Sequence, residues 1–322
     1  MLIFCTLFDS RYLSRGIAMY ESLCNHCQNF HLYVFAFNEL CLNTLQSLNF
    51  DKMTVISLSD FEDDNLLRVK QRRSRNEYCW TCSSSTVLYV LDHYNADHCI
   101  YIDADLFFYN SPQILLDEME DNESVLITPH NYTKKYDQGS KTGIYCVQFV
   151  YFKNDIQGRK VLNWWRSACL DWCYDRFENG RFGDQKYLDD WPIRFKGVHV
   201  LKHLGTVAPW NMQQYEIEQN GKQFIGTELV SQKKFEVVFY HYHSLAFVTK
   251  SFFSPRPYYE RTDSSIHLLY NPYIKTIKKI RGKYHLEEME VYFSYWKIFK
   301  YLAEVFLRRG FKEIHYIKLL HE

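Results

Sequence analysis

The apolar positions of this chain fall into short runs that alternate with helix-periodic stretches. Residues 2–8, 32–37 and 53–58 are apolar runs of strand length. Between them, residues 15–25 and 39–49 repeat apolar side chains at the i, i+3, i+4 spacing of one helix face. Ser83-Ser-Ser-Thr86 offers helix caps ahead of a helix over residues 87–94. A further apolar run, residues 99–102, stops at two carboxylates, Asp103 and Asp105, and apolar residues resume with Leu106, Phe107 and Phe108. Regular β-α-β alternation predicts a mostly parallel sheet covered by helices on both faces. Ligands of such sheets bind beyond the carboxyl ends of the strands, and Asp9 and Asp103 both follow strands at that edge.

The pattern loosens further on. Residues 124–128 and 144–152 read as strands, 161–172 as a helix with aromatic faces, and 235–243 as a strand ending in histidines. Residues 252–272 are rich in Pro, Tyr and Ser and predict an irregular wrap. A basic run follows, with Lys275, Lys278, Lys279, Arg281 and Lys283. Residues 287–309 then carry an apolar helical stripe from Tyr292 to Leu307, closed by Gly310. The expected organisation is a domain over 1–250 and a C-terminal extension over 251–322, made of the wrap and amphipathic helices.

Composition narrows the function classes. The 322 residues hold 38 basic and 38 acidic side chains, without the basic excess of a general nucleic-acid binder. No run approaches 18 apolar residues, so no bilayer-spanning helix is expected. The first residues lack a basic leader region and soon meet Asp9 and Arg11, which predicts a core strand and a cytoplasmic protein whose ten cysteines stay reduced. Cys24/Cys27 and Cys79/Cys82 stand too far apart for a compact four-cysteine zinc site. Neither a Gly-x-Gly-x-x-Gly nor a Walker-type loop is present.

Two carboxylates at the end of a buried strand cost folding free energy unless a cation or hydrogen bonds compensate. A hard divalent ion that also touches a diphosphate would do so; a solvated turn is the plainer alternative. The run Tyr-Ile-Asp103-Ala-Asp105-Leu-Phe-Phe resembles the metal motif of GT-A glycosyltransferases, most closely the family-8 type and its bacterial relatives. The resemblance covers about residues 1–250. It implies an α/β GT-A fold, Rossmann-like with flanking helices, followed here by the C-terminal helical extension.

Other stretches agree with that family in order. Cys5-Thr-Leu-Phe-Asp-Ser-Arg-Tyr12 is similar to its nucleotide-binding first strand, which implies donor contacts from Thr6, Phe8, Asp9 and Tyr12. Capping of the next helix by Asp9 or Ser10 is the other account. Arg68-Val-Lys-Gln-Arg-Arg-Ser-Arg75, ahead of a donor-lining segment at Glu77-Tyr-Cys-Trp-Thr-Cys82, offers Arg73 and Arg75 to a diphosphate. Phe182-Gly-Asp-Gln185 resembles the family's Asp-Gln pair, which implies Asp184 on sugar hydroxyls and Gln185 near the anomeric carbon; a helix cap by Asp184 is the alternative. Ala208-Pro-Trp-Asn211 resembles a segment near acceptor or sugar, with Trp210 either stacking on a pyranose or packing in the core.

Phe239-Tyr-His-Tyr-His-Ser244 is similar to the late strand whose histidine completes the metal shell, His241 first and His243 in reserve. With Asp103 and Asp105, and with Ala104 against the donor, this set suits Mn²⁺ or Mg²⁺. Cys146 and Gln148 depart from the Asn and Gly of the family pattern, which leaves the sugar open.

The resemblance implies a nucleotide diphosphate sugar donor, UDP-linked by expectation, and a saccharide or lipid-linked saccharide (glycolipid) acceptor, with retention of anomeric configuration. A non-catalytic scaffold of the same fold and a sugar-phosphate nucleotidyltransferase are the alternatives. The latter would need a Gly-rich N-terminal loop, which residues 8–16 lack. The C-terminal helix with its basic run either packs on the domain or makes a peripheral contact with the inner face of the cell membrane.

Overall fold

The computed structural model describes residues 1–247, 253–254, 258–286 and 303. The chain divides into two compact units: Met1–Ser10, Cys27–Ala104 and Pro112–His203 form the first, and Arg11–His26, Asp105–Ser111 and Leu204–Glu322 the second.

The first unit is built on a seven-stranded sheet. Its strand order is Met53–Ser57, Phe30–Ala36, Leu2–Phe8, His98–Ile102, Tyr145–Lys153, Val125–Pro129, Val198–Val200. All neighbours run parallel except around Tyr145–Lys153, which is antiparallel to both His98–Ile102 and Val125–Pro129. Leu2–Phe8 pairs residue for residue with Phe30–Ala36 and has only its first residue partly exposed. That double-sided burial explains why it reads as a continuous apolar run rather than an alternating one.

The helix expected at 87–94 begins much earlier and spans Arg75–His93. Ser74 starts it through a capping box with Glu77: the Ser74 side chain accepts from the Glu77 amide, and the Glu77 carboxylate accepts from the Ser74 amide. Ser83, Ser84, Ser85 and Thr86 are therefore mid-helix rather than caps, and all four are buried. Thr86 turns its hydroxyl onto the Ser83 carbonyl in the preceding turn at 2.7 Å. Small side chains on this stretch let the helix lie close to the sheet. The helix expected at 161–172 likewise starts sooner, over Ile156–Asp171, with Asp155 accepting from the Gly158 amide.

In the second unit, Leu106–Phe108, Phe239–His241 and Thr206–Val207 form a small sheet. Tyr215–Asn220, Gln223–Glu228 and Lys234–Glu236 form an antiparallel one. The single strand expected over 235–243 is thus two, Lys234–Glu236 and Phe239–His241, which serve different sheets. The stretch expected to be irregular becomes helical at Asp263, capped by Thr262, and runs through a π-helical turn, Ile266–Tyr270, into the helix Asn271–Lys283. The helix expected at 287–309 lies outside the described residues, apart from residue 303. Among the described residues, no helix is long and apolar enough to cross a membrane.

Candidate active site

The first unit supplies one carboxylate pair. Asp103 follows His98–Ile102 directly, and its amide donates to the Gln148 carbonyl at 3.1 Å, which extends the antiparallel pairing with Tyr145–Lys153 by one residue. Gln148 is completely buried and Cys146 nearly so; these two departures from the family pattern thus sit on the strand beside Asp103.

Asp184 is 5% exposed. Its carboxylate accepts from the Ser83 hydroxyl at 2.9 Å, and its carbonyl accepts from Trp165 Nε1 at 3.0 Å. Asp184 stands at the N-cap position of a 3₁₀ helix, Gln185–Asp190, yet makes no side-chain cap bond. The capping alternative fails because the side chain is turned to Ser83 instead. Burial pushes the Asp184 carboxyl up to about 7 against the Ser83 bond, and the charge of Asp103 adds to the rise. Burial, followed by the charges of Asp103 and Asp184, also drives the Tyr101 phenol upward.

Gln185 donates through Nε2 to the Thr142 carbonyl at 2.8 Å. Lys186 donates to the Gly139 carbonyl at 2.8 Å, and Asp189 accepts from the Ile144 amide at 2.8 Å. The Asp-Gln segment is thereby tied along its length to residues 139–144. Gly143 has φ +113°, and a Cβ there would lie 3.2 to 3.4 Å from Asp189, Lys186 and Gln185. Only glycine fits that approach without strain.

The donor-facing candidates of the first strand and the basic run are placed as follows. Thr6 and Phe8 are buried in Leu2–Phe8. Asp9 is buried and ion-pairs with Arg75. Arg73 lies over the Tyr174 ring at 3.8 Å. Tyr12, in the second unit, is 38% exposed, with the Arg15 guanidinium 4.5 Å from its ring centre.

The second unit supplies the acid–imidazole pair. Leu106 registers with His241 between antiparallel strands, and the Tyr242 amide donates to the Asp105 carbonyl at 2.9 Å. This register brings His241 Nε2 to 3.0 Å from Asp105 Oδ1. Burial alone would raise the Asp105 carboxyl; His241, His243 and Arg15 overcome it and hold the group down to about 2. His243 is exposed, two residues past the strand end, with its ring 5.6 Å from that of His241. The two imidazoles are neighbours although His243 lies beyond the strand, so the alternation expected over 235–243 is not what brings them together. Trp210 is 4% exposed and sets its ring edge-on to both histidines at 5.3 and 5.6 Å.

Asp103, Asp105 and His241 are a group of the kind that can hold a metal ion, each offering one ligand atom. Two carboxylate oxygens and one imidazole nitrogen suit a divalent ion such as Mn²⁺ or Mg²⁺, and an Asp105 carboxyl held ionised is ready to ligate. Reading the sequence missed Ser83, which looked like a cap, and Arg15, which looked like the first residue of a helix. The only hint of Ser83 was a run of four hydroxyl side chains where an amphipathic helix should carry apolar ones.

Among solved structures, an active-site mutant of LgtC matches with a TM-score of 0.50 at 10% identity, covering 88% of this chain and 96% of that one. The galactosyltransferase LgtC in complex with donor and acceptor sugar analogues matches with a TM-score of 0.45 at 14% identity, over 65% of this chain and 76% of that one. The fold is that of the GT-A glycosyltransferases. No family model matches the chain. The uncharacterized protein YfnD of Bacillus subtilis (strain 168) is 30% identical over 283 residues, 86% of this chain and 88% of YfnD. YfnF of the same organism is 26% identical over 286 residues, 86% of this chain and 92% of YfnF. The chain belongs to the family of YfnD.

Proposed function

We propose that this protein is a metal-dependent glycosyltransferase. It moves a sugar from a nucleotide diphosphate sugar, UDP-linked, to a saccharide or lipid-linked saccharide acceptor with retention of configuration. The observation that carries this proposal is the buried Asp105–His241 pair, with Asp105 kept ionised and joined through Ala104 to the acid that ends the strand His98–Ile102. Asp103, Asp105 and His241 would hold Mn²⁺ or Mg²⁺, with His243 in reserve. When bound, the ion supplies a Lewis acid for the leaving diphosphate.

The chain's own residues do the rest. Asp184, fixed by Ser83, would hold sugar hydroxyls. Gln185 is a neutral amide anchored to Thr142, so it orients but does not take a proton from the acceptor. No carboxylate base is assigned in its place, in keeping with retention. Asp9 receives the base or ribose once Arg75 is drawn off it by the donor.

A thermal-shift panel of nucleotide sugars with and without Mn²⁺ tests the proposal. A donor at 100 times its Kd stabilises by about 2.7 kcal/mol, so one donor should raise Tm by several degrees only when the metal is present. A panel in which no donor shifts the protein, with Asp103→Ala behaving identically, would instead mark a non-catalytic scaffold.

A further inference from the structure

Residues 172–181, which belong to none of the sequence motifs, leave the helix Ile156–Asp171 and bring the chain to Phe182, two residues before Asp184. They form a hairpin. Glu178 and Arg181 exchange both amide-to-carbonyl bonds at 3.0 Å, and Asn179 and Gly180 between them have φ of +51° and +76°. That is the two-residue turn of a tight, preorganised hairpin. Its base is pinned to the segment that carries Asp184. The Gly183 amide donates to the Tyr174 carbonyl at 3.0 Å. Tyr187, in the 3₁₀ helix Gln185–Asp190, donates its hydroxyl to the Trp172 carbonyl at 2.7 Å.

The hairpin alternates rings and guanidiniums. Arg73 lies 3.8 Å and Arg176 4.4 Å from the centre of the Tyr174 ring, and Arg181 lies 4.8 Å from that of Trp172. The two rings meet edge-on at 5.3 Å. The cations are matched by acids. Arg176 pairs with Glu178 at 2.8 Å, Arg181 with Asp171 at 3.4 Å, and the charge of Arg73 acts on Glu77. Asp175 is exposed beside them. Three arginines thus stand among four carboxylates, which leaves no surplus positive charge for a phosphate or an acidic polymer. Phe177, next to Arg176 on the hairpin, is 49% exposed.

A neutral sugar has the complementary chemistry. Its hydroxyls both donate and accept, so they can meet guanidinium N–H edges and carboxylate oxygens together. Its C–H face is apolar and can lie on an exposed ring, whose face is electron-rich. A rigid hairpin offers these groups with little ordering cost. We infer that this hairpin binds the acceptor, a neutral oligosaccharide, at sugar units beyond the one that receives the transferred residue. Phe177 is the stacking face, the Arg176–Glu178 pair holds hydroxyls, and Trp172 and Tyr174 support them from below. This inference rests on the function proposed above and assigns the chemistry of the acceptor.

Binding of the full chain to a printed array of immobilised saccharides tests it, with neutral gluco-, galacto-, manno- and N-acetylhexosamine chains beside uronic acid and phosphate-bearing ones. Wild-type protein should bind a neutral oligosaccharide in preference to the acidic chains. Calorimetry with that oligosaccharide should show Phe177→Ser and Arg176→Ala each weakening it about 10-fold, the cost of removing an anchor. Phe177→Tyr keeps the ring and should keep the affinity. Both sites are exposed, and urea unfolding of each variant checks that it is folded. Equal affinity in Phe177→Ser, Arg176→Ala and wild type, a preference for acidic chains, or no binding to any saccharide would overturn the inference. In each of those cases, release of nucleoside diphosphate from a nucleotide sugar by the wild type would leave the proposed function standing. Saccharide binding that needs the hairpin, without such release from any donor, would overturn the proposed function and keep the hairpin as a saccharide-binding surface.

Discussion

Replacing Asp184 by Asn should stabilise the metal-free protein, and more so as pH rises. The carboxyl is buried, accepts from Ser83 and from the Asp184 and Gln185 amides, and still has its affinity for a proton raised from an ordinary 3.8 to about 7. A folded state that holds a proton the unfolded chain has lost becomes less stable with rising pH. The loss begins near pH 4, where the unfolded carboxyl ionises, and levels off above pH 7, once the folded one has ionised too. At 1.36 kcal/mol per pKa unit, the full span is about 4 kcal/mol, and water entry around the charged form lowers it. Asn has the same shape, keeps an oxygen for the Ser83 hydroxyl and never ionises. Urea unfolding at pH 5, 6, 7 and 8 should therefore show the stability gap between Asp184→Asn and wild type widening by about 2 kcal/mol from pH 5 to pH 8. Parallel pH curves for the two proteins would refute the burial and charge account of Asp184.

Asp105 behaves in the opposite sense: its folded carboxyl is held down to about 2, so it contributes stability above pH 4 that disappears as pH falls toward 2. His241→Ala should cost up to about 2 kcal/mol at neutral pH, should cost less in acid, and should move the acid-unfolding midpoint upward in circular dichroism. Ser74→Ala removes one half of the capping box and should lower stability by about 1 kcal/mol in urea unfolding, without changing the slope. Gly143→Ala forces a side chain into a φ of +113° beside Lys186 and Gln185; a loss of about 1–3 kcal/mol and faster proteolysis within 139–144 are expected.

The parallel half of the large sheet was legible because its strands are buried on both faces and so read as unbroken apolar runs. The antiparallel strand at 145–153 was legible for the same reason, but its direction was not, since direction leaves no mark on an apolar run. The helix Arg75–His93 was half hidden: the middle of its buried face is Ser83 to Thr86, between Tyr78 and Cys82 on one side and Val87, Val90 and Leu91 on the other, and such a run mimics a cap in sequence. The division into units was also hidden, because Arg11–His26 and Asp105–Ser111 join the second unit from within the first third of the chain.

At the site, Asp103, Asp105 and His241 could be named from a strand end and a motif order. The partners that tune them could not. Ser83 meets Asp184 across 101 residues, and Arg15, on another element, acts on Asp105. Contacts of that kind are set by tertiary packing, which no local periodicity records.

The central claim is a donor-cleaving, metal-dependent transferase. Its most direct test is the release of nucleoside diphosphate from a panel of nucleotide sugars, followed by chromatography with Mn²⁺ or with EDTA, for wild type and Asp105→Asn. Release from one donor by the wild-type protein, abolished by EDTA and reduced at least 100-fold in Asp105→Asn (about 2.7 kcal/mol of transition-state stabilisation), is the predicted result. Release that survives both EDTA and the substitution, or no release from any donor with acceptor saccharides supplied, would contradict it.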